Sequence, residues 1–185
     1  MKKILIFTFL LIFISSCTQD PSIIDVDYSA SSTEQAEQFA DGAIRVLYSS
    51  DFNNVYPHLA AELIVWESDE TYTKDSSRAR EIYDTFIDYN AKYETYEEFK
   101  QERTIKVVSV NNVVDSGIFG DYYDSQEEFE TRTIDFYGEE STNKIFQSGN
   151  YFVYTKNKNT GRVSDPFIVL TREEGDWKIL SYPPR

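Results

Sequence analysis

Residues 167–179, with the sequence FIVLTREEGDWKI, decide how the end of this chain folds. Two apolar runs rich in β-branched and aromatic residues, 167–170 and 177–180, flank the acidic, glycine-bearing segment 173–176. Apolar runs separated by a short turn of this kind are typical of a β-hairpin. The segment therefore predicts two antiparallel strands joined by a tight turn.

Further strands are predicted before this hairpin. Residues 151–154 form another apolar run, and 157–161 provide the turn that follows it. Several of these strands carry apolar residues on both of their faces. Such strands lie between a helix layer and some other part of the protein, or line the inside of a curved sheet. Residues 105–110 and 113–114 are also β-branched, with 111–112 as a turn or a bulge between them.

The region 120–145 is ambiguous from sequence alone. Ser125 and Glu128 have the spacing of a helix capping box, and Gly138 resembles a helix stop. The β-branched residues of 131–134 favour a strand instead. The caps favour a short helix, but the sequence leaves the structure of this region open.

Helices are predicted in the first half of the chain. A helix begins after Ser31, because apolar residues recur with a helical period from Ala36 to Tyr48. A second helix, capped by Asp51, is predicted over 52–64, with Pro57 kinking it or tightening its start. A polar loop over 67–74, a third helix opened by 75–77 and a short helix capped by Thr95 complete this part.

Helices followed by antiparallel strands are the order of an α+β domain. The hairpin at 167–179, with its Trp-Lys-Ile strand, resembles the closing hairpin of NTF2-like (SnoaL-like, cystatin-like) domains, and the resemblance covers residues 33–182. It implies N-terminal helices packed on one face of a curved antiparallel sheet. The long insertion before the last three strands departs from a compact version of that fold.

The N-terminus has the anatomy of a secretory signal. Lys2 and Lys3 precede an almost purely apolar run, 4–14, and the small residues Ser15 and Ser16 lead to Cys17. The pattern resembles the lipobox of bacterial lipoproteins, in which the cysteine receives a diacylglycerol and becomes the first mature residue. A membrane span needs about 20 apolar residues, so this run is too short for one, although an uncleaved anchor is an alternative.

The resemblance to a lipobox implies the organisation of the chain. Residues 1–16 are then a lipoprotein signal peptide, 17–31 a tether after lipidated Cys17, and 32–185 a single NTF2-like α+β domain. Partial docking of the tether on the domain through Ile23 and Ile24 is left open. Attachment to the membrane is expected through the N-terminal acyl chains, which places the protein in the cell envelope. Thr18 rather than Asp follows the cysteine, which favours the outer membrane if the organism is Gram-negative.

The net charge and the single cysteine limit the classes of function that this protein can have. Removal of 1–16 with its two lysines lowers the net charge from −14 to −16, which argues against binding nucleic acid and against docking on anionic lipid headgroups, since both need basic patches. The acidity is typical of a solvated surface, with a cationic partner or a loosely held calcium ion as alternatives. Cys17 is the only cysteine, so no disulfide is expected.

Few residues are candidates for chemistry. His58 is the only histidine, and its position off the apolar stripe favours a surface or cap-adjacent role over catalysis. Asp115 and the acidic segment 121–124 have oxygen ligands suited to calcium, but without a known spacing. Trp66 is a weak candidate for a ligand pocket, and Trp177 is expected to be buried against the first helix.

The sequence therefore predicts no catalytic residue, no metal site and no cofactor. We expect a lipid-anchored, non-catalytic domain that binds a small apolar ligand or a protein partner. Two alternatives stay open: an NTF2-like enzyme that uses acid–base chemistry in its cavity, and an immunity-type lipoprotein that neutralises a basic toxin. A buried Asp or Tyr with a shifted pKa inside a cavity would favour the enzyme.

Overall fold

The computed structural model describes residues 22–65, 69–89, 95–120, 122–164 and 168–181. The described helices are α1 (Ser32–Leu47), α2 (Phe52–Val55), α3 (Ser77–Tyr89), α4 (Tyr96–Glu102), α5 (Gln126–Tyr137) and α6 (Glu139–Ile145). The described strands are β1 (Glu62–Val65), β2 (Glu70–Thr73), β3 (Arg103–Ser109), β4 (Tyr151–Asn157), β5 (Ile168–Glu173) and β6 (Asp176–Ser181). No helix within these residues is both long enough and apolar enough to cross a bilayer. The domain is of the α+β class, as the sequence predicts.

The main sheet is antiparallel, with the strand order β3-β4-β5-β6. The predicted closing hairpin is confirmed: Arg172 pairs with Trp177 and Glu173 pairs with Asp176. Its two turn residues, Glu174 and Gly175, both have positive φ, at 55° and 95°. Positive φ at both positions matches the twist of a two-residue hairpin, which is why a glycine stands here.

One face of the sheet packs against the first helix, as expected from the sequence. Tyr151, Val153 and Trp177 point to this face and belong to the same buried cluster as the apolar stripe of α1. Helices α3 and α4 add side chains such as Phe86 and Phe99 to that cluster. We call it the first core.

The opposite face carries a second buried cluster. Phe152 and Tyr154 alternate with the first-core residues of β4 and pack with Phe129 of α5 and Ile145 of α6. We call this cluster the second core. Because successive side chains of a strand point to opposite faces, the unbroken apolar run of β4 requires a layer on each side.

The structure thereby corrects the expectation that helices pack on one face of the sheet. The segment between β3 and β4 folds back as α5 and α6 and covers the other face. The short helix favoured after Ser125 is confirmed, and the Ser125 hydroxyl accepts a hydrogen bond from the Glu128 N–H at 3.1 Å. The sequence alone left the structure of this region open, because the apolar stripe of the helix is short and interrupted by threonines.

Helix α1 begins where its cap predicts. The Ser31 side chain accepts from the Glu34 N–H, and the Glu34 carboxylate accepts from the Ser31 N–H at 3.0 Å, which completes a capping box. The last turn holds Arg45, a cation at the negative end of the helix dipole.

The predicted helix over 52–64 is wrong beyond its first turns. Helix α2 ends at Val55, a 3₁₀ turn covers Tyr56–His58, and the chain then becomes strand β1. Pro57 lacks an N–H and stops the helical ladder, and the apolar residues after it form strand pairs instead. The predicted polar loop over 67–74 is also wrong in part, since Glu70–Thr73 is the partner strand β2.

The predicted strand at 113–114 is wrong as well. Strand β3 ends at Ser109, and Val110–Asn112 forms a 3₁₀ turn. Val113 is fully buried in the second core rather than extended along the sheet. Burial of its side chain thus outweighs the β propensity of an isolated valine pair.

The outer edge of β6 is covered by the segment that follows the 3₁₀ turn. The Ala60 N–H donates to the Ile179 carbonyl of β6 at 2.9 Å, and the next residue, Ala61, donates its N–H to the side-chain carboxylate of Glu173, at the end of β5, at 3.0 Å. An uncovered edge strand invites pairing with another chain, so this contact protects the sheet.

Candidate functional site

The residues just before α1 lie against the domain. We call residues 22–31 the N-terminal segment. Ile24 and Val26 are partly buried against the first core, whereas Ile23 is 53% exposed. A Cβ added to Gly42 of α1 would lie 2.5 Å from the Ile24 Cγ2 atom, so Gly42 makes room for this contact. Ile24 and Val26, within the region that was expected to be a tether, therefore pack on the domain.

Side chains of the domain hold the backbone of this segment. Arg45 donates from Nη2 to the Ile23 carbonyl at 2.6 Å, and His58 Nε2 lies 2.7 Å from the Ser22 carbonyl oxygen. The Gln38 side chain accepts from the Asp27 N–H at 2.7 Å. Since a carbonyl oxygen only accepts, Nε2 of His58 carries the proton in this contact.

The structure places His58 half-buried under the N-terminal segment rather than on the open surface. Its ring meets the edge of Phe39 with the centroids 6.1 Å apart. Burial lowers the pKa of His58 below its usual 6.5, and the nearby charges of Lys178 and Arg45 lower it further, while the bond to Ser22 opposes the shift. The imidazole is therefore neutral at pH 7 and acts as a hydrogen-bond donor.

Gln35 joins the far end of the segment to the closing hairpin. Its Nε2 donates to the Ala30 carbonyl at 2.7 Å, and its Oε1 accepts from Arg172 and from Trp177 Nε1, the latter at 3.4 Å. The Arg172 guanidinium also lies over the Trp177 ring, 4.5 Å from the centroid. Trp177 is 2% exposed in the first core, so its predicted burial is confirmed.

Tyr28 adds an exposed contact between the same two elements. Its hydroxyl donates to the Asp176 carboxylate at 3.3 Å. Burial raises the pKa of Tyr28, and the charge of Asp176 raises it further. The segment is thus fixed at both of its ends, to the 3₁₀ turn at one end and to the hairpin at the other.

A second feature lies on the opposite side of the sheet. We call Phe119, Tyr122, Tyr123 and Arg132 the aromatic surface. Tyr122 is 66% exposed, and its ring stands edge-on to Tyr123 with the centroids 4.8 Å apart. The Arg132 guanidinium lies over both tyrosine rings, at 5.8 and 5.7 Å, and pairs with Glu128 at 2.6 Å. Phe119 connects this group to Tyr154 of the second core.

Two tyrosines in the first core have shifted pKa values. Burial raises the pKa of Tyr83 to about 12, and its hydroxyl donates to the Leu47 carbonyl at 3.2 Å. Burial and a hydrogen bond to Asp41 raise the pKa of Tyr96. Both shifts move the phenol away from neutral pH, so each tyrosine stays protonated and acts as a structural donor.

The other predicted candidates are not brought together. Cys17, Trp66 and Asp121 lie outside the described residues. Asp115 and Asp124 are exposed, and no group of three potential metal-ligating residues forms within the part of the chain that the structure describes.

Sequence reasoning left open a docking of the N-terminal segment through Ile23 and Ile24, of which the structure shows Ile24 packed on the core, but it missed the contact with Gly42 and the aromatic surface. A glycine inside an otherwise apolar helix, Gly42, was the available signal for a close approach of another segment. Arg132 carried no comparable signal, because its aromatic partners lie about ten residues earlier in the chain and meet it only in the folded domain.

The chain was compared with models of protein families, with curated proteins and with solved structures, and it matches none of them.

Proposed function

We propose that this protein is a lipid-anchored component of the bacterial cell envelope. In this proposal, residues 1–16 are removed, Cys17 carries the acyl chains, and the domain begins almost immediately afterwards. The observation that carries the proposal is the signal pattern that ends at Cys17. Thr18 after the cysteine favours the outer membrane in a Gram-negative organism.

The proposal includes an NTF2-like core for the domain. Support comes from α1 lying on one face of an antiparallel sheet and from the closing hairpin with its buried tryptophan. Helices α5 and α6 then represent an inserted second layer, in the long segment where the sequence departs from a compact NTF2-like domain.

A protein partner is the ligand class that the surface favours. Exposed tyrosine next to arginine is the composition that contributes most to binding energy at protein interfaces. Tyr122 and Arg132 provide this pair on the aromatic surface. We therefore propose that the domain binds its partner there and performs no chemistry.

The state of the titratable groups supports a non-catalytic role. A general base must titrate near the working pH. The hydroxyl of Tyr83 donates to the Leu47 carbonyl, that of Tyr96 to Asp41, and His58 donates to the Ser22 carbonyl. These groups hold the structure together, which favours binding over the acid–base alternative.

Replacement of Cys17 tests the anchor. In Cys17→Ser, a lipid precursor should no longer label the protein, the signal should no longer be cleaved before residue 17, and membrane attachment through acyl chains should be lost. Mass spectrometry of the mature N-terminus measures the modification directly. A wild-type protein that is membrane-bound with an unmodified Cys17 contradicts the proposal.

Photo-crosslinking in intact cells tests the partner surface. A photoreactive side chain at Tyr122 should give one discrete protein adduct, which Arg132→Ala should weaken. The same side chain at Tyr28, which is also exposed, is the matched control and should not give that adduct. Equal adducts from both positions would argue against a partner site at the aromatic surface.

A further inference from the structure

The distance between the acylated residue and the fold is short. Only residues 18–21 separate Cys17 from Ser22, whose carbonyl is held by His58 of the domain. Five steps of extended chain reach at most about 18 Å. A folded domain of this length has a radius of gyration of about 15 Å and hence a diameter of roughly 40 Å. The tether is therefore shorter than the domain is wide.

A short tether restricts which side of the domain meets the bilayer. The surface around Ser22 has to stay within reach of the acyl chains, and the opposite side of the sheet cannot turn towards them without lifting Ser22 away. Covalent geometry thus already selects the side of the domain that carries the N-terminal segment.

The surface at that point has an exposed apolar residue. Ile23, Tyr28 and Tyr122 are the large hydrophobic side chains that are exposed within the described residues, and two of the three belong to the N-terminal segment. Ile23 lies next to the tether, and Arg45 fixes its carbonyl. Its side chain is therefore held outwards at the site closest to the membrane.

Cations border this isoleucine in a chain with a large excess of acids. Arg45 and Lys178 both lie near His58, and Lys178 donates to the Pro57 carbonyl at 2.9 Å. Asp25 is exposed two residues after Ile23, and Asp41 lies one helical turn before Arg45 on α1, so acids are present near these cations as well. Charges more than about 8–10 Å away are largely screened at physiological salt, so the net acidity of the chain does not decide the contact.

We propose that the surface formed by Ile23, Arg45, Pro57 and Lys178 is the membrane-contacting face of the domain. Ile23 enters the headgroup region of the phospholipid bilayer, and the two cations meet phosphate groups. This inference rests on the proposed lipidation of Cys17. The aromatic surface, which packs on the other side of the sheet, then points away from the membrane and towards a partner.

Fluorescence quenching on vesicles tests this orientation. Acylation consumes the only thiol of the chain, so a cysteine introduced into the mature lipoprotein is a unique labelling site. Ile23→Cys and Tyr122→Cys carry the same fluorophore, and the full-length lipoprotein is reconstituted into phosphatidylethanolamine–phosphatidylglycerol vesicles with headgroup-quencher lipids. The label at position 23 should be strongly quenched, and the label at position 122 should not.

Reversing one charge distinguishes direct contact of the domain with the membrane from simple proximity imposed by the tether. Lys178→Glu should lower the quenching at position 23, because one cation near an anionic membrane surface is worth about 1 kcal/mol, or roughly fivefold in the contacting population. Arg132→Glu changes the net charge equally on the opposite side and is the matched control. Circular dichroism shows that each variant is folded.

The outcomes distinguish this inference from the lipidation itself. Equal quenching at positions 23 and 122 would overturn the orientation. Quenching at position 23 that survives Lys178→Glu undiminished would show that the tether alone sets the distance, and would overturn the contact. A protein without the added lipid mass that fails to join the vesicles would instead refute the proposed anchor.

Discussion

The two faces of the main sheet are built in different ways. The first core rests on α1, a single helix of 16 residues whose small residues Ala36, Ala40 and Ala43 are fully buried. The second core rests on the shorter helices α5 and α6, which follow one another in the chain. The first core therefore contains one long amphipathic helix with α3 and α4 beside it, and the second core is formed by a folded-back segment.

Both cores contain aromatic contacts, and in the first core Tyr151 meets Trp177 with the ring centroids 5.5 Å apart. The second core is held by a network of edge-to-face aromatic contacts, in which Phe129 meets Phe146 at 5.7 Å and Phe152 at 6.3 Å. Alanines let α1 lie close to the sheet, while aromatic rings fill space in both cores. One long helix on one face and two short consecutive helices on the other thus bury the same strands.

The largest expected effect concerns one large residue from each core. Trp177→Ala should destabilise the domain by about 3–5 kcal/mol, and Phe152→Ala on the other face by a similar amount, because both leave a large cavity. Urea unfolding with two spectroscopic probes measures both. A small loss for Phe152→Ala alone would show that the second core is an accessory layer rather than part of one cooperative unit.

The junction of α5 and α6 is the next point to test. Gly138 has φ of 98°, and a Cβ there would lie 2.4 Å from the Asp69 carboxylate carbon. Asp69 accepts from the Ser141 N–H at 2.7 Å and so caps α6, whose own cap position has no side chain. Gly138→Ala should therefore cost about 1–3 kcal/mol from backbone strain alone, with the loss of the cap added to it.

The control for this substitution is Gly149→Ala. Gly149 has nearly the same φ, 96°, but a Cβ there would meet nothing within 4 Å. Gly138→Ala should lower the melting temperature more than Gly149→Ala does. Equal shifts would mean that the contact with Asp69 contributes nothing to the second layer.

Cap substitutions sharpen the comparison of the two layers. Ser31→Ala removes the cap of α1 and Ser125→Ala that of α5, and each should cost about 1 kcal/mol. Hydrogen exchange should rise only in α5 and α6 after Ser125→Ala, but throughout the first core after Ser31→Ala. An identical exchange pattern in both variants would show that the layers open together.

The smallest effect is the pH dependence of His58. Its pKa is lowered in the folded state, so the unfolded state binds the proton more readily, and the stability that the neutral imidazole provides is lost as pH falls below 6.5. His58→Gln keeps a donor for the Ser22 carbonyl but removes the titration. Unfolding free energies of the two proteins should diverge only at acidic pH, and a constant difference across the range would contradict this assignment.

Much of the fold could be predicted from local signals. Three features are each formed by residues that are close together in the chain: the capping box at Ser31, the apolar stripe of α1 and the hairpin turn at 173–176. The sequence alone therefore predicts them. The sequence did not predict strands β1 and β2. These strands depend on pairing between Glu62–Val65 and Glu70–Thr73. The two strands stabilise each other only when both are in place, so neither segment alone carries a pattern that predicts a strand.

The candidate site follows the same division. Cys17 and the expected lipid anchor come from a linear motif, and they stay predictions. The role of His58 depends on Ser22, 36 residues earlier, and the aromatic surface depends on Arg132 folding over Tyr122. Contacts of this kind follow from the path of the chain rather than from the identity of neighbouring residues.

The sequence by itself determined the α+β class, the first helix with its cap and the closing hairpin, because caps, periodicity and turns are short-range properties. Only the tertiary structure decided that a second layer covers the sheet and that the N-terminal segment lies on α1. The apolar run of β4 requires cover on both faces, but it is satisfied by any apolar surface of the right size. Gly138 and the Asp69 cap position the segment that covers the second face, and Gly42 makes room for the N-terminal segment; these contacts form only when distant parts of the chain meet.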